Sequence, residues 1–427
     1  MHTTSFKEEG ISGVRIHVEK AGFSLFELSV RTNTPHTKES EALYLVYTEA
    51  LLAGCGKYSK DAFIDQLTLL GSDIRITTTH DTIHFSLRSR NENLKKTLEL
   101  FSLILKEPTF NTKEIARIKT HLKNNLTLLK EDARAQSHDN FVNTLVLKDD
   151  RRFTYEIDTT RSEVDKITRA HLVSLHKELS RCHWQYTCGG SEDTCAIVEK
   201  TLQNLKGKPS PQSVQKSIPS LKLKKTELKL VDIPQKQNIE FSIGGALPIL
   251  SNDPEYPAFV FGISVLGIAG GFSGRLMSTV REKEGLTYGI YVHAEGVTSY
   301  EMGFWRVGTF FSQKDTVQGI TSTLREIKKI CTKGITDDEL KRFKAILKTR
   351  SALTEDSLIK KVREAHSYSQ AGFSLSDFDA FKASIQSLTK AKVNSTLKKY
   401  LNPKAITISG AGPISKVKKD IQKFANL

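Results

Sequence analysis

Apolar residues crowd almost every face of Ala42–Gly54 and then stop at a glycine, which predicts a buried helix with a C-terminal stop signal. The next segment, Asp61–Gly71, is amphipathic and again ends in glycine, and Ser72–Arg90 alternates apolar with polar residues in the manner of strands. This order returns later in the chain. Pro257–Gly271 is an apolar helix running into glycines, Gly274–Gly285 is amphipathic, and Leu286–Val297 with Glu301–Phe311 read as strands.

Further pieces keep nearly the same offset: Phe110–Leu126 corresponds to Ile335–Ser351, Lys166–Leu179 to Ser387–Leu401, and Tyr186–Asp193 to Thr407–Ile414, with Gly71 and Gly285 in matching helix-ending places. Between the halves, Leu205–Lys225 replaces the periodic pattern with Pro, Ser, Gln and Lys and reads as an extended linker. The fold class that follows is α+β: two homologous domains, residues 1–204 and 226–427, joined by the linker 205–225. Each domain is a mostly antiparallel sheet with helices packed largely on one face.

Composition narrows the picture only a little. At 427 residues, with 38% apolar and 26% charged residues, the chain is long enough for two or three cored domains and too ordinary to be disordered throughout. The net charge of +15 favours acidic partners, yet no basic stripe interleaved with aromatics supports nucleic-acid binding. Five scattered cysteines lack the paired spacing of a structural zinc site and read as reduced, mostly buried thiols; whether Cys188 and Cys195 meet across a turn cannot be told from spacing. The first residues lack the apolar core of a signal peptide, and no apolar run reaches transmembrane length. The chain as given therefore reads as cytoplasmic, or as periplasmic or organellar if a targeting segment has been trimmed from it.

A zinc peptidase built on helices needs two histidines one turn apart with a glutamate beside them, so that both imidazoles share a face and the carboxylate takes a proton from the bound water. No such set occurs. His80 and His84 are the closest pair on one face of an expected strand, and His121 with Asn125 is similarly poor in donors. A Gly-x-Ser-x-Gly nucleophile elbow is also absent. The informative stretch runs from Gly267 to Gly296. Its glycines, Gly270, Gly271 and Gly274 among them, allow sharp turns and close approach of another chain. Arg281 and Tyr288 lie across a helix end and a turn at Gly285, where both can face one groove as donors to a substrate carbonyl or a developing oxyanion. Taken alone, the pair reads more simply as a surface arginine and a core tyrosine.

The stretch Ser273-Gly274-Arg275-Leu276, followed by Arg281-Glu282-Lys283-Glu284-Gly285-Leu286-Thr287-Tyr288, resembles the C-terminal domain of the inverted-zincin metallopeptidases, the pitrilysin, insulin-degrading and mitochondrial processing peptidase superfamily. The repeat and linker extend the resemblance over essentially the whole chain. Active relatives carry His-x-x-Glu-His on the first helix and a third ligand, a glutamate, farther on. Alignment on Gly54 places Leu45 and Glu49 at the two histidines, Thr48 at the catalytic glutamate and Asn125 at the third ligand. Leucine has no donor atom, and one carboxylate with an amide holds zinc poorly.

The resemblance therefore implies a chain without its own cofactor and inactive alone, of the two-subunit processing-peptidase branch. It implies a heterodimer with a zinc-bearing homologous subunit that cleaves an extended peptide. Arg281 and Tyr288 would act in trans on the substrate carbonyl and the oxyanion, while Gly270, Gly271, Ser273 and Gly274 would admit the peptide. A structural core-type subunit of a respiratory complex and a non-catalytic peptide-binding protein remain the alternatives. Nucleic acid and a transmembrane segment are not expected.

Overall fold

The computed structural model describes residues 2–8, 10–19, 22–208, 225–267 and 273–426. Most of the expected linker, and Gly270 with Gly271, lie outside the described residues. The chain forms two compact units. One holds the described residues within Met1–Thr127, Tyr155–Val214 and Ser351–Gln370; the other holds those within Leu128–Thr154, Gln215–Arg350 and Ala371–Leu427.

In the first unit, β1 (His2–Glu8), β2 (Ile11–His17), β3 (Phe23–Arg31), β4 (Gly54–Cys55), β5 (Tyr58–Ser59), β6 (Asp73–Thr79), β7 (Thr82–Arg90) and β8 (Trp184–Gly190) supply the strands. Six of them form one sheet in the order β1-β2-β8-β3-β7-β6, antiparallel except where β2 runs alongside β8. The helices of the N-terminal half of the chain are α1 (Lys38–Leu51), α2 (Lys60–Leu69), α3 (Leu94–Lys106), α4 (Thr112–Leu129), α5 (Ala133–Leu145), α6 (Ile157–Lys166), α7 (Arg169–Leu179) and α8 (Glu192–Leu205). Period-two alternation decides what each sheet face meets. Phe26, Leu28 and Val30 of β3 enter the core with Tyr44, Tyr47, Phe85 and Phe101. Each such fully buried side chain contributes about 1.5–3 kcal/mol.

The second unit repeats this plan with β9 (Glu227–Asp232), β10 (Asn238–Leu247), β11 (Ile290–Glu295), β12 (Gly303–Ser312) and β13 (Thr407–Gly412). Its sheet runs β11-β12-β10-β13-β9, antiparallel except for the parallel pair β13 and β9. Read in the same sense, β9-β13-β10-β12-β11 reproduces β2-β8-β3-β7-β6 strand for strand, including the place of the one parallel pair. The helices of the C-terminal half of the chain are α9 (Tyr256–Leu266), α10 (Thr316–Lys333), α11 (Asp337–Glu355), α12 (Leu358–Gln370), α13 (Leu375–Ser387), α14 (Lys390–Tyr400) and α15 (Lys418–Gln422).

Each unit takes one helix from the other half of the sequence. α12 packs on β8, β2 and β3 of the first unit. There Val362 is fully buried, and His366 lies between the hydroxyls of Ser29 (2.7 Å) and Thr187 (3.1 Å). α5, its counterpart in the repeat, packs on β13, β10 and β9 of the second unit. It contributes Phe141, edge-on to Phe304 at 5.6 Å, and Ser137, whose hydroxyl is 3.2 Å from that of Ser242. The exchanged helices cover the more polar sheet faces, where serine, threonine and glutamate alternate with the core residues. Among the described residues no helix is long and apolar enough to cross a membrane, and the five cysteines are free thiols.

Candidate functional site

Helix α1 carries three of the positions aligned with a metal site, and it is a well-made helix. The Thr37 side chain caps its N-terminus in a capping box with Ser40. Tyr44, Val46 and Tyr47 are fully buried, and Leu45 is half-buried against the same core. The Thr48 hydroxyl donates back to the carbonyls of Tyr44 and Leu45, 3.1 Å each, so it serves the helix itself. Glu49 is exposed. Asn125, exposed on α4, is 3.0 Å from His121 Nε2 on the preceding turn.

This donor set does not fit zinc, which takes three or four imidazole, thiolate or carboxylate ligands. Among the described residues no group of three or more His, Cys, Asp or Glu side chains is placed to hold a metal. One imidazole that contacts α1, His176, is used structurally. Its Nδ1 meets the Tyr47 hydroxyl at 2.8 Å and its Nε2 the Leu105 carbonyl at 3.0 Å, and burial lowers its pKa, which favours the neutral ring. The expected strand pairing of His80 with His84 needs correction. His80 sits in the β6–β7 turn with φ +52°, whereas His84 lies within β7 and its Nδ1 is 2.8 Å from the Ser29 hydroxyl. A two-residue turn takes His80 out of the alternation that would have aligned the two rings.

In the second unit, α9 is buried nearly all round and ends at Gly267. Beyond the undescribed residues, Ser273 and Gly274 bring the chain back against that helix end. Gly274 has φ +125°, and a Cβ there would lie 2.8 Å from the Gly267 Cα. Arg275 then fixes the loop from within the protein: its Nε and one terminal nitrogen donate to Glu339 at 2.7 Å each, and the same nitrogen reaches the Gly334 carbonyl at 2.7 Å. Arg275 is therefore a structural brace.

The amphipathic segment that follows is a π-helix over Met277–Lys283, wider than the expected α-helical pattern. It keeps Met277 and Val280 buried while Arg281 stays half-exposed. Gly285 ends it at φ +64°, with its N–H on the Arg281 carbonyl and the Leu286 N–H on the Val280 carbonyl, 3.0 Å each. Glu284 anchors the end of this turn to α10 through Ser322 and Arg325. After the turn, Leu286 and Thr287 are buried and Tyr288 projects with 76% of its surface exposed. The Arg281 guanidinium lies over the Tyr288 ring, 4.8 Å from its centroid. Two donors seven residues apart in sequence thus form one stacked pair on the surface of this unit. A cationic fork and a phenol held together suit an anionic or strongly polarised oxygen. Sequence reasoning missed the π-helical turn and the helix exchange. The spacing of Gly285 was the signal that located the pair.

Comparison with known proteins gives a single direction. Residues 188–347 match the family model described as "Peptidase M16 inactive domain", and residues 48–154 that of "Insulinase (Peptidase family M16)". A Helicobacter pylori protein, the non-peptidase homolog YmxG, is 20% identical over 390 residues, 90% of this chain and 86% of that one. Among solved structures, a peptidase M16 inactive domain from Pseudomonas fluorescens superposes with a TM-score of 0.82 at 21% identity, covering 97% of this chain and 98% of that one. A chain of complex III2 from Candida albicans gives 0.73 at 15% identity over 97% and 98% of the two chains.

Proposed function

Since the chain belongs to the M16 superfamily of inverted zincins as an inactive, pseudo-peptidase member, we propose that it is the substrate-holding subunit of a two-chain metallopeptidase. Its partner is a homologous chain that keeps the zinc ligands and the general base. The observation that carries this reading is an asymmetry: the metal positions hold Leu45, Thr48, Glu49 and Asn125, while Arg281 and Tyr288 remain paired and presented. Arg281 orients the carbonyl of the scissile peptide, and the Tyr288 hydroxyl donates to the oxygen as negative charge develops on it. Ser273 and Gly274 are assigned to the passage of the extended chain, together with Gly270 and Gly271, which lie outside the described residues. The metal and the activated water belong to the partner.

The test mixes this chain with a homologue bearing an intact His-x-x-Glu-His motif and follows peptide cleavage. Removal of one donor by Tyr288→Phe or Arg281→Ala lowers turnover by about 10²–10³. Cleavage undiminished in both variants refutes the role. A second reading, a structural subunit of a larger assembly, draws support from the likeness of fold to the complex III2 chain. Native purification separates the two: a two-chain complex with cleavage supports the first, a large assembly without it the second.

A further inference from the structure

Between α2, α3 and α8 of the first unit runs an open groove of about 980 Å³ that the proposed peptidase role does not use. Its floor is apolar: Leu70, Leu103 and Ile197 rest half-buried on the core and turn their remaining surface into the groove. Its rim is basic. Lys95, Lys96 and Lys106 of α3 and Lys200 of α8 line it, against the single carboxylate of Glu99. All four lysines are exposed, and none has an ion-pair partner among the described residues.

Either feature alone has an ordinary explanation, since surface lysines are well solvated and partly exposed leucines are common. Their coincidence is selective. Four ammonium groups without ion-pair partners around an apolar floor favour carboxylates, and the floor gains about 25 cal/mol for each Å² of apolar surface covered. The α3 lysines also set a length. From Lys95 to Lys106 the helix rises about 16 Å, room for about three turns of a docked helix.

We infer that this groove is the docking site for an acidic, amphipathic segment of a partner polypeptide. Its carboxylates pair with Lys95, Lys96, Lys106 and Lys200, and its apolar side chains seat on Leu70, Leu103 and Ile197. This site belongs to the first unit, and the Arg281 and Tyr288 pair to the second.

The test is fluorescence anisotropy of a labelled synthetic helical peptide with leucines on one face and glutamates on the other. Two probes of equal charge are compared with it: the same peptide with serine for leucine, and a thymidine oligonucleotide. The wild-type chain binds the amphipathic peptide at least about tenfold more tightly than either, and affinity falls with salt. The double variant Lys96→Glu/Lys200→Glu loses about tenfold or more while its melting temperature stays unchanged. Tyr288→Phe binds as the wild type does, which keeps this result separate from the peptidase reading. Equal binding of the serine peptide or the oligonucleotide overturns the inference, as does charge reversal without effect.

Discussion

At the scale of single residues, the informative positions are those where the backbone or the titration state leaves one solution. Gly274 is such a place: φ of +125° and a Cβ 2.8 Å from Gly267 penalise any side chain twice, by conformation and by contact. Gly274→Ala is expected to lower stability by about 1–3 kcal/mol, read as a drop in the urea midpoint, and to reduce partner-dependent cleavage by displacing the loop ahead of Arg281. Burial beside Ser29 and Thr187, with His84 adding a smaller push, lowers the His366 pKa to about 3. An unfolded histidine titrates near 6.5, so between the two values the unfolded chain binds a proton that the folded one refuses. Stability from this group is complete above about pH 6.5 and is lost as pH falls toward 3. His366→Asn is expected to flatten that acid limb of a urea-midpoint profile. His138 works the other way. Hydrogen bonds to Asp139 and Glu295 raise its pKa to about 9, so its contribution is complete below about 6.5 and fades toward 9. A histidine NMR titration reads both directions.

At the scale of elements, each sheet is finished by a helix that arrives from far along the chain. Gly189 on β8 shows how close that helix comes: a Cβ there would meet Val362 at 2.5 Å and Leu358 at 2.8 Å. Gly189→Val is expected to push α12 off the sheet at a cost of about 1–3 kcal/mol. Hydrogen exchange should then rise in α12, β8 and β2, with β10 and β13 unchanged. Such docking explains what sequence could and could not reveal. The strand and helix order, the repeat and the Gly285 turn were legible because periodicity and glycine placement are local signals. The Arg281–Tyr288 stack follows from the same turn. The helix exchange was not legible, because α12 and α5 carry ordinary amphipathic patterns that state how much they bury and never against which sheet. The π-helix escaped for a related reason, since one extra residue per turn hardly alters a seven-residue pattern. Cys188 and Cys195, whose spacing left their relation open, do meet: the Cys195 thiol donates to the Cys188 carbonyl at 3.9 Å.

At the scale of the whole molecule, the repeat makes two sheets of one design. On the proposed reading, Leu45 and Thr48 of α1 stand at metal-site positions without cost to packing, because leucine and threonine serve a helix as well as histidine does. The second presents Arg281 stacked on Tyr288 at a braced turn. The interleaving also bears on dissection of the chain. Residues 1–204 expressed alone lack α12 and are expected to melt without a cooperative transition by circular dichroism, and co-expression with residues 226–427 is expected to restore one. Independent, cooperative folding of either piece would contradict the exchange.

That exchange carries a cost in time during biosynthesis. The ribosome finishes the strands of the first sheet at Gly190, yet the helix that seals its far face ends only at Gln370. At about 5–20 residues per second the nascent sheet waits roughly 10–35 s with one face bare. For that interval it is open to chaperones, and to the homologous helix of any sister chain emerging nearby.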